Sequence, residues 1–225
     1  MSYPTTIVKA ALLHLRQQAG TAHESLGLLN QGQTLEVLEL DDSGTWAKVK
    51  ADDGRAGWCS LKYLMPTGAA PHSLWLEVAM REIGVREMPG PAENHPRIQE
   101  YLASVDDLKG IASSRDETAW CSCFMNWCVE QVGLDGTNTA WARSWTQWRN
   151  TVAYKDAKPG HIAVFRRTGL GVDGGHVGIF MGFAQGGEQV NVLGGNQGNA
   201  VRISRFPVEG MMGGMLYKLQ SLRAA

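Results

Sequence analysis

Cys121 opens an apolar helical run, Cys121 to Val132, straight after the polar, turn-prone residues Asp116, Glu117 and Thr118, and the run stops at Gly133. A thiol in the first helical turn meets unsatisfied backbone N–H groups at the positive end of the helix dipole, which favours thiolate. Two strand-like stretches downstream, His176-Val-Gly-Ile-Phe and Val190-Asn-Val-Leu-Gly-Gly-Asn196, each carry a polar group that a cysteine nucleophile needs. The order is nucleophile, base, and a group to orient the base. One imidazole can take the thiol proton and later give it to a leaving amine. A side-chain amide would fix the imidazole tautomer without neutralising its charge; Asn196 is the first choice and Gln197 the alternative. The backbone N–H of Cys121 is placed to meet an oxyanion.

Each of these residues has a rival. His161 also starts a strand, after the turn at Pro159-Gly160, but the glycines around His176 leave more room for substrate. Cys123 and Cys128, at i+2 and i+7, fall away from the polar helix end and read as packing residues. Asp116 and Glu117 read as helix caps or substrate contacts, capping being the simpler role. Geometry works against a disulfide framework and free thiols are the better reading, because residues two apart point to different sides of a helix and residues seven apart are separated by roughly 10 Å of rise. Cys59, in a strand pattern, reads as a small buried hydrophobe. The Cys-x-Cys-x4-Cys spacing lacks the matching second pair of a zinc site, so neither a metal nor another cofactor is expected.

The elements that must position these groups follow from the rest of the chain. At 225 residues and 44% hydrophobic content it suits one good core plus a small second domain. A net charge of -1 with interspersed signs offers no basic stripe, which argues against nucleic acid and anionic lipid as partners. The apolar patch Ala10 to Leu13, flanked by Lys9, His14 and Arg16, is far too short for a membrane span, and there is no convincing signal peptide. A monomer is expected.

Residues 6 to 66 alternate in short runs broken by turns such as Asp41-Asp-Ser-Gly44 and Asp52-Asp-Gly-Arg55, and five or so strands suit a small barrel. Trp46, Trp58 and Tyr63 are candidate groove residues, the alternative for each tryptophan being the barrel core. Pro66 to His72 shifts to small residues and prolines, so the expected division is 1–66, a linker at 67–73, and a second domain at 74–225. That domain opens with a helix capped by Ser73, carrying Trp75, Val78, Ala79 and Ile83 and ending at Gly84, then one entered at Pro96 with His95 as a surface or capping residue. Trp141, Trp145 and Trp148 fall at i, i+4 and i+7, one helical face buried on a sheet in preference to a sugar-stacking stripe. From Lys158 the period becomes that of strands, so helices followed by an antiparallel sheet give an α+β domain. Gly169 to Gly174 matches GxGxxG, but it runs into the strand at His176 instead of a helix, and the match is accidental.

Leu13 to Gly20, Thr45 to Val49 and Asp53 to Leu64 resemble the bacterial SH3-like domain, a wall-targeting or peptide-binding module. Asp116 to Trp127, Pro159 to Phe165, Gly175 to Phe180 and Leu193 to Gln197 resemble the NlpC-type and CHAP-type cysteine peptidases of bacterial cell walls, over roughly residues 74 to 206. The resemblance implies a papain-like domain, with helices packed on an antiparallel sheet, after a small SH3-like β-barrel. It implies cleavage of peptidoglycan or muropeptides, within the stem peptide or at the amide joining peptide to sugar, with Cys121 as nucleophile, His176 as base and Asn196 as the third polar residue. The chain departs from the pattern at His161, where aspartate is frequent, at Ala119, where proline is common, and at Gly194, near where CHAP members carry an acidic residue. The expected setting is a bacterial or phage-encoded protein made in the cytoplasm without a signal peptide, acting in the periplasm or wall after non-classical release. The alternatives are a non-catalytic wall-binding or phage structural protein, and a thiol deamidase or transglutaminase-like toxin.

Overall fold

The computed structural model describes residues 5–68, 73–90, 94–108, 118–169 and 172–225. Asp116 and Glu117, part of the expected linker, and the tip of the Gly169 to Gly174 loop lie outside the described residues.

Alternation of apolar and polar side chains in the first third of the chain produces seven strands: β1 (Thr6–Val8), β2 (Leu12–Arg16), β3 (Ser25–Asn30), β4 (Thr34–Leu40), β5 (Trp46–Ala51), β6 (Ala56–Ser60) and β7 (Leu64–Pro66). They form one antiparallel sheet in the order β3-β2-β6-β5-β4-β1-β7. Two more strands are present than the turn pattern suggested, and no pairing among the described residues joins β3 to β7 to close a barrel. Leu15, Leu29, Leu35, Ala47, Val49 and Cys59 fill the inner face.

Three short helices follow: α1 (Leu74–Arg81), α2 (Pro96–Leu102) and α3 (Cys121–Glu130). Pro96 takes the first turn of α2, and His95 caps it by accepting the Arg97 N–H at Nδ1, 3.1 Å. Ser73 gives α1 no side-chain cap, and α3 stops two residues earlier than its apolar run, turning out through Gly133 at φ 75°. The tryptophan stripe is broken. Ala142–Gln147 is a 3-10 helix, whose tighter winding spoils an i, i+4, i+7 face, so Trp145 and Trp148 are buried while Trp141 is 56% exposed.

The second sheet contains β8 (Asn150–Val152), β9 (Ile162–Gly169), β10 (Val172–Ala184), β11 (Gln189–Gly194), β12 (Arg202–Pro207), β13 (Glu209–Met212) and β14 (Met215–Ala224). Its order is β12-β11-β10-β9-β14-β13, with β8 also on β14, all antiparallel. The architecture is therefore mixed α and β, two antiparallel sheets with few helices. One hydrophobic core runs without a break from Val8, Leu35 and Leu64 of the first sheet, through Trp75, Phe124 and Met125 of the helices, to Val177, Ile179 and Leu193 of the second. A separate cluster of Phe165, Phe180, Val192, Phe206 and Tyr217 fills the other face of the second sheet.

The two sheets also meet by hydrogen bonds. Ile203 N–H donates to the Gly44 carbonyl at 3.0 Å, and the Arg202 guanidinium donates to the Asp42 carbonyl. Gly44 has φ +64°, and a Cβ there would sit 2.1 Å from the Ile203 carbonyl oxygen; Gly54, at φ +87°, has nothing within 4 Å. Left-handed strain alone costs about 1 kcal/mol, so Gly54→Ala should lower stability by about that much. Gly44→Ala should lose about 2 kcal/mol more from the backbone clash. Urea unfolding of the two variants checks this; equal losses would mean the contact carries no load.

Candidate active site

The nucleophile candidate sits on a helix buried from Cys121 through Asn126. Two polar side chains inside it, Ser122 and Asn126, lie on one face at i, i+4. Ser122 Oγ accepts from Trp145 Nε1 at 2.9 Å and donates to the Thr139 carbonyl at 2.7 Å. Asn126 Oδ1 accepts the Asn138 N–H at 2.8 Å. The helix is thus bolted to the 138–145 loop by buried, satisfied groups. At its N-terminus Trp120 provides no side-chain cap, so the first backbone N–H groups are left for the thiol. The Gly194-Gly195 loop passes tightly over this end: a Cβ at Gly195 would lie 2.4 Å from the Trp120 ring and 2.7 Å from Phe124. Only glycine lets the loop bearing Asn196 and Gln197 come so near.

β10 carries the candidate base, His176. Its pairing with β11 begins at Ile179, so the segment with His176 and Val177 extends past β11 and packs at α3. Strand alternation turns Val177 toward the helix core and the His176 ring toward the second cluster, where it stacks on Phe206 at 4.9 Å with planes 19° apart. His176 Nε2 and Gln197 Oε1 are 3.0 Å apart. The Gln197 amide nitrogen donates to the Val192 carbonyl at 3.0 Å and the Arg202 carbonyl at 2.5 Å. Two carbonyl acceptors fix which end of the amide is nitrogen, so Oε1 must face the ring, Nε2 must carry the hydrogen, and Nδ1 is left with its lone pair. Asn196, the first choice for this contact, is turned elsewhere: its amide nitrogen points to the Thr118 carbonyl at 3.5 Å, and its φ of +54° swings it away from the next residue's course. His161 is occupied locally, accepting the Lys158 N–H at Nδ1, 3.2 Å, in the turn that starts β9.

Burial dominates the electrostatics. Cys121 and His176 are each 7% exposed. Burial pushes the Cys121 thiol up, against the opposing N–H groups of Val177, Ser122 and Cys121 itself and the charge of Arg167. The helix end therefore softens the cost of the thiolate without overcoming dehydration, and the resting group is a thiol. Burial likewise brings His176 down to about 4, with Gln197 resisting and Arg167 assisting. Cys59 and Cys123 are pushed up to about 12 and Cys128 is pushed well above the ordinary thiol value, in each case chiefly by burial, and all four cysteines are free. They are inert packing groups, Cys121 excepted.

In the first sheet, the register Lys48↔Trp58 and Trp46↔Ser60 makes Trp46 and Trp58 diagonal neighbours on the outer face, both half-buried. Tyr63 stands apart, beside Lys9, Lys62 and Glu77 in another recess. Arg167 and the Ser122–Asn126 pair escaped sequence reasoning; the only signal was two polar residues at i, i+4 in an otherwise apolar helix.

The fold and this site define a small β domain joined to a thiol-bearing α and β domain. Residues 11–65 match the family model of the bacterial SH3 domain and residues 113–196 that of the CHAP domain, so the chain carries an SH3 domain followed by a CHAP domain. The CHAP match ends one residue before Gln197. No curated protein matches the chain. Among solved structures, NlpC2 from Trichomonas vaginalis is similar at 13% identity and TM-score 0.40, covering 97% of this chain and 72% of that one. NlpC1 from the same organism gives 12% and 0.39, covering 97% and 68%. An NlpC/P60 family protein from Bacillus cereus gives 12% and 0.36, covering 96% and 63%. At that distance the likenesses say nothing about chemistry.

The buried histidine makes stability depend on pH. In the unfolded chain His176 takes a proton near pH 6.5, whereas in the native state it stays neutral down to about 4. Between those values the unfolded chain binds more protons, so stability falls on acidification. His161, also held down by burial, adds to the trend. Urea midpoints at pH 7 and pH 5 should therefore fall less in His176→Asn than in wild type; an identical fall would contradict a neutral buried ring.

Proposed function

We propose that the protein is a cysteine hydrolase of papain-like architecture that cuts an amide bond of peptidoglycan, in the stem peptide or where peptide joins sugar. Residues 1–66 would serve as the wall-binding domain, 67–73 as a linker and 74–225 as the catalytic domain. The observation that carries the reading is the His176–Gln197 bond, its amide orientation dictated by two carbonyls, on a strand whose next residue, Val177, turns its N–H to the buried thiol that begins the helix. The CHAP match over Cys121 and His176 supports it.

In this reading Cys121 is the nucleophile, His176 the general base and Gln197 the orienting group, Asn196 lying next to the Cys121 helix through Thr118. The resting pair is neutral. On substrate binding, His176 Nδ1 takes the Sγ proton as sulfur bonds to the amide carbon, and the N–H of Cys121 meets the oxyanion. The C–N bond breaks as the imidazolium protonates the leaving amine. Water, deprotonated by the same ring, then splits the thioester and frees the carboxylic acid. Trp46 and Trp58 offer the wall polymer an aromatic face. Action as a monomer in the periplasm or wall, on peptidoglycan or muropeptides, is the matching setting.

Digestion of purified sacculi tests the proposal. Wild type should release muropeptides, and Cys121→Ala should lose at least about 10³-fold in kcat, while Cys128→Ala loses some stability yet keeps turnover. Binding without release would indicate a wall-binding protein, and neither would favour another amide substrate. Gln197→Ala should lower kcat by about 10²-fold and Asn196→Ala much less; the reverse order would move the orienting role to Asn196. Because His176 must be neutral to accept the proton and stays so down to about 4, the acid limb of kcat/KM should lie well below the ordinary imidazole range. A limb near pH 6.5 would speak against His176 as base.

A further inference from the structure

The geometry points to Arg167 as an anion subsite that takes a free carboxylate of the peptide substrate beside Cys121 and His176. This deepens the hydrolase reading and rests on it for the identity of the substrate.

Arg167 lies on β9 opposite Gly174 of β10 on one side and Tyr217 of β14 on the other. Phe165, two residues back on the same strand, pairs with His176. Alternation therefore puts Arg167 on the same face as the imidazole, about 7 Å farther along the sheet. One of its two cross-strand partners, Gly174, is a glycine and has no side chain to lay over the guanidinium stem.

Nε is buried without a partner in Arg202, Arg205 and Arg223 of this sheet as in Arg167, and what sets Arg167 apart is the rest of its guanidinium. Arg202 donates to the Asp42 carbonyl, Arg223 donates to Thr151, and Arg166 and Arg205 also have partners. Arg167 has no hydrogen-bond or ion-pair partner among the described residues, although its Nε is fully buried. A buried guanidinium N–H without an acceptor is costly, and no acceptor among the described residues offsets that cost. A carboxylate would offset it, because its two oxygens match the parallel N–H groups of the guanidinium fork. The same charge already acts on both reacting groups, favouring the Cys121 thiolate and disfavouring His176 protonation. An anionic substrate group docked on Arg167 would offset that effect on the imidazole when it must become charged. Stem peptides supply such groups at side-chain and terminal carboxylates.

Two ratios measured on the full chain test this. The first is Cys121 alkylation by iodoacetate relative to iodoacetamide; in both, the sulfur–carbon bond forms as iodide leaves, and only the former carries a carboxylate. Arg167→Gln and Arg167→Met should each lower this ratio about tenfold, and Arg167→Lys should lower it less, because the charge remains without the fork. The second is kcat/KM for a soluble muropeptide with free carboxylates relative to the same muropeptide with every carboxylate amidated. Wild type should favour the acid about tenfold, with the preference lost in Arg167→Gln. An unchanged alkylation ratio overturns the subsite whatever the cleavage result. A lowered alkylation ratio with neither muropeptide cleaved by wild type keeps the subsite and overturns the hydrolase reading. Cleavage of both muropeptides at equal rates by wild type overturns the assignment of a substrate carboxylate to Arg167.

Discussion

The arrangement depends on one side-chain amide that is not free to turn over. Gln197 gives both N–H bonds to backbone carbonyls, of Val192 on β11 and Arg202 at the start of β12, and so presents only its oxygen to His176. An amide able to flip would offer the ring a donor half the time and select the other tautomer. Anchoring it to two adjacent, paired strands transfers the rigidity of the sheet to a proton position on an imidazole. Stacking on Phe206 removes the ring's remaining freedom. The imidazole is therefore oriented before any ligand arrives, which is what the proposed role of base requires.

The same burial that orients the site suppresses its charges. A helix N-terminus, with its dipole and free N–H groups, argues for a thiolate at Cys121, but those groups act within a dehydrated pocket and dehydration is the larger effect. Burial favours thiol over thiolate at Cys121 and neutral imidazole at His176, so in the proposed reaction proton transfer is part of the chemical step. This suits a ring held down to about 4, because a base kept neutral is always ready to accept a proton.

Much of this was legible from residue order. The strand alternation around His176, the helix start at Cys121 and the packing character of Cys123, Cys128 and Cys59 all follow from local pattern, because period and side-chain size are local properties. The choice between Asn196 and Gln197 was not legible. Both are amides at the end of one strand, and what separates them is a positive φ at Asn196 together with carbonyls from β11 and β12, facts of tertiary geometry. The tryptophan stripe misled for a similar reason: a 3.6-residue period was assumed where the chain winds as a 3-10 helix. Arg167 was invisible because a lone arginine in a strand carries no pattern; what marks it is the lack of a partner for its buried Nε among the described residues.

The sequence also suggested two domains joined by a linker, whereas the packing couples them more closely. A single peptide unit, Arg202 C=O with Ile203 N–H, accepts from Gln197 on one side and donates to Gly44 of the first sheet on the other. Continuous apolar contact from Leu64 through Trp75 to Val177 accompanies it. A domain attached only by a flexible segment raises local substrate concentration but leaves orientation free. Here the outer face bearing Trp46 and Trp58 is held at a fixed attitude to the strand that anchors Gln197. Under the proposed function, a polymer resting on that face would meet the thiol from a direction set by this packing.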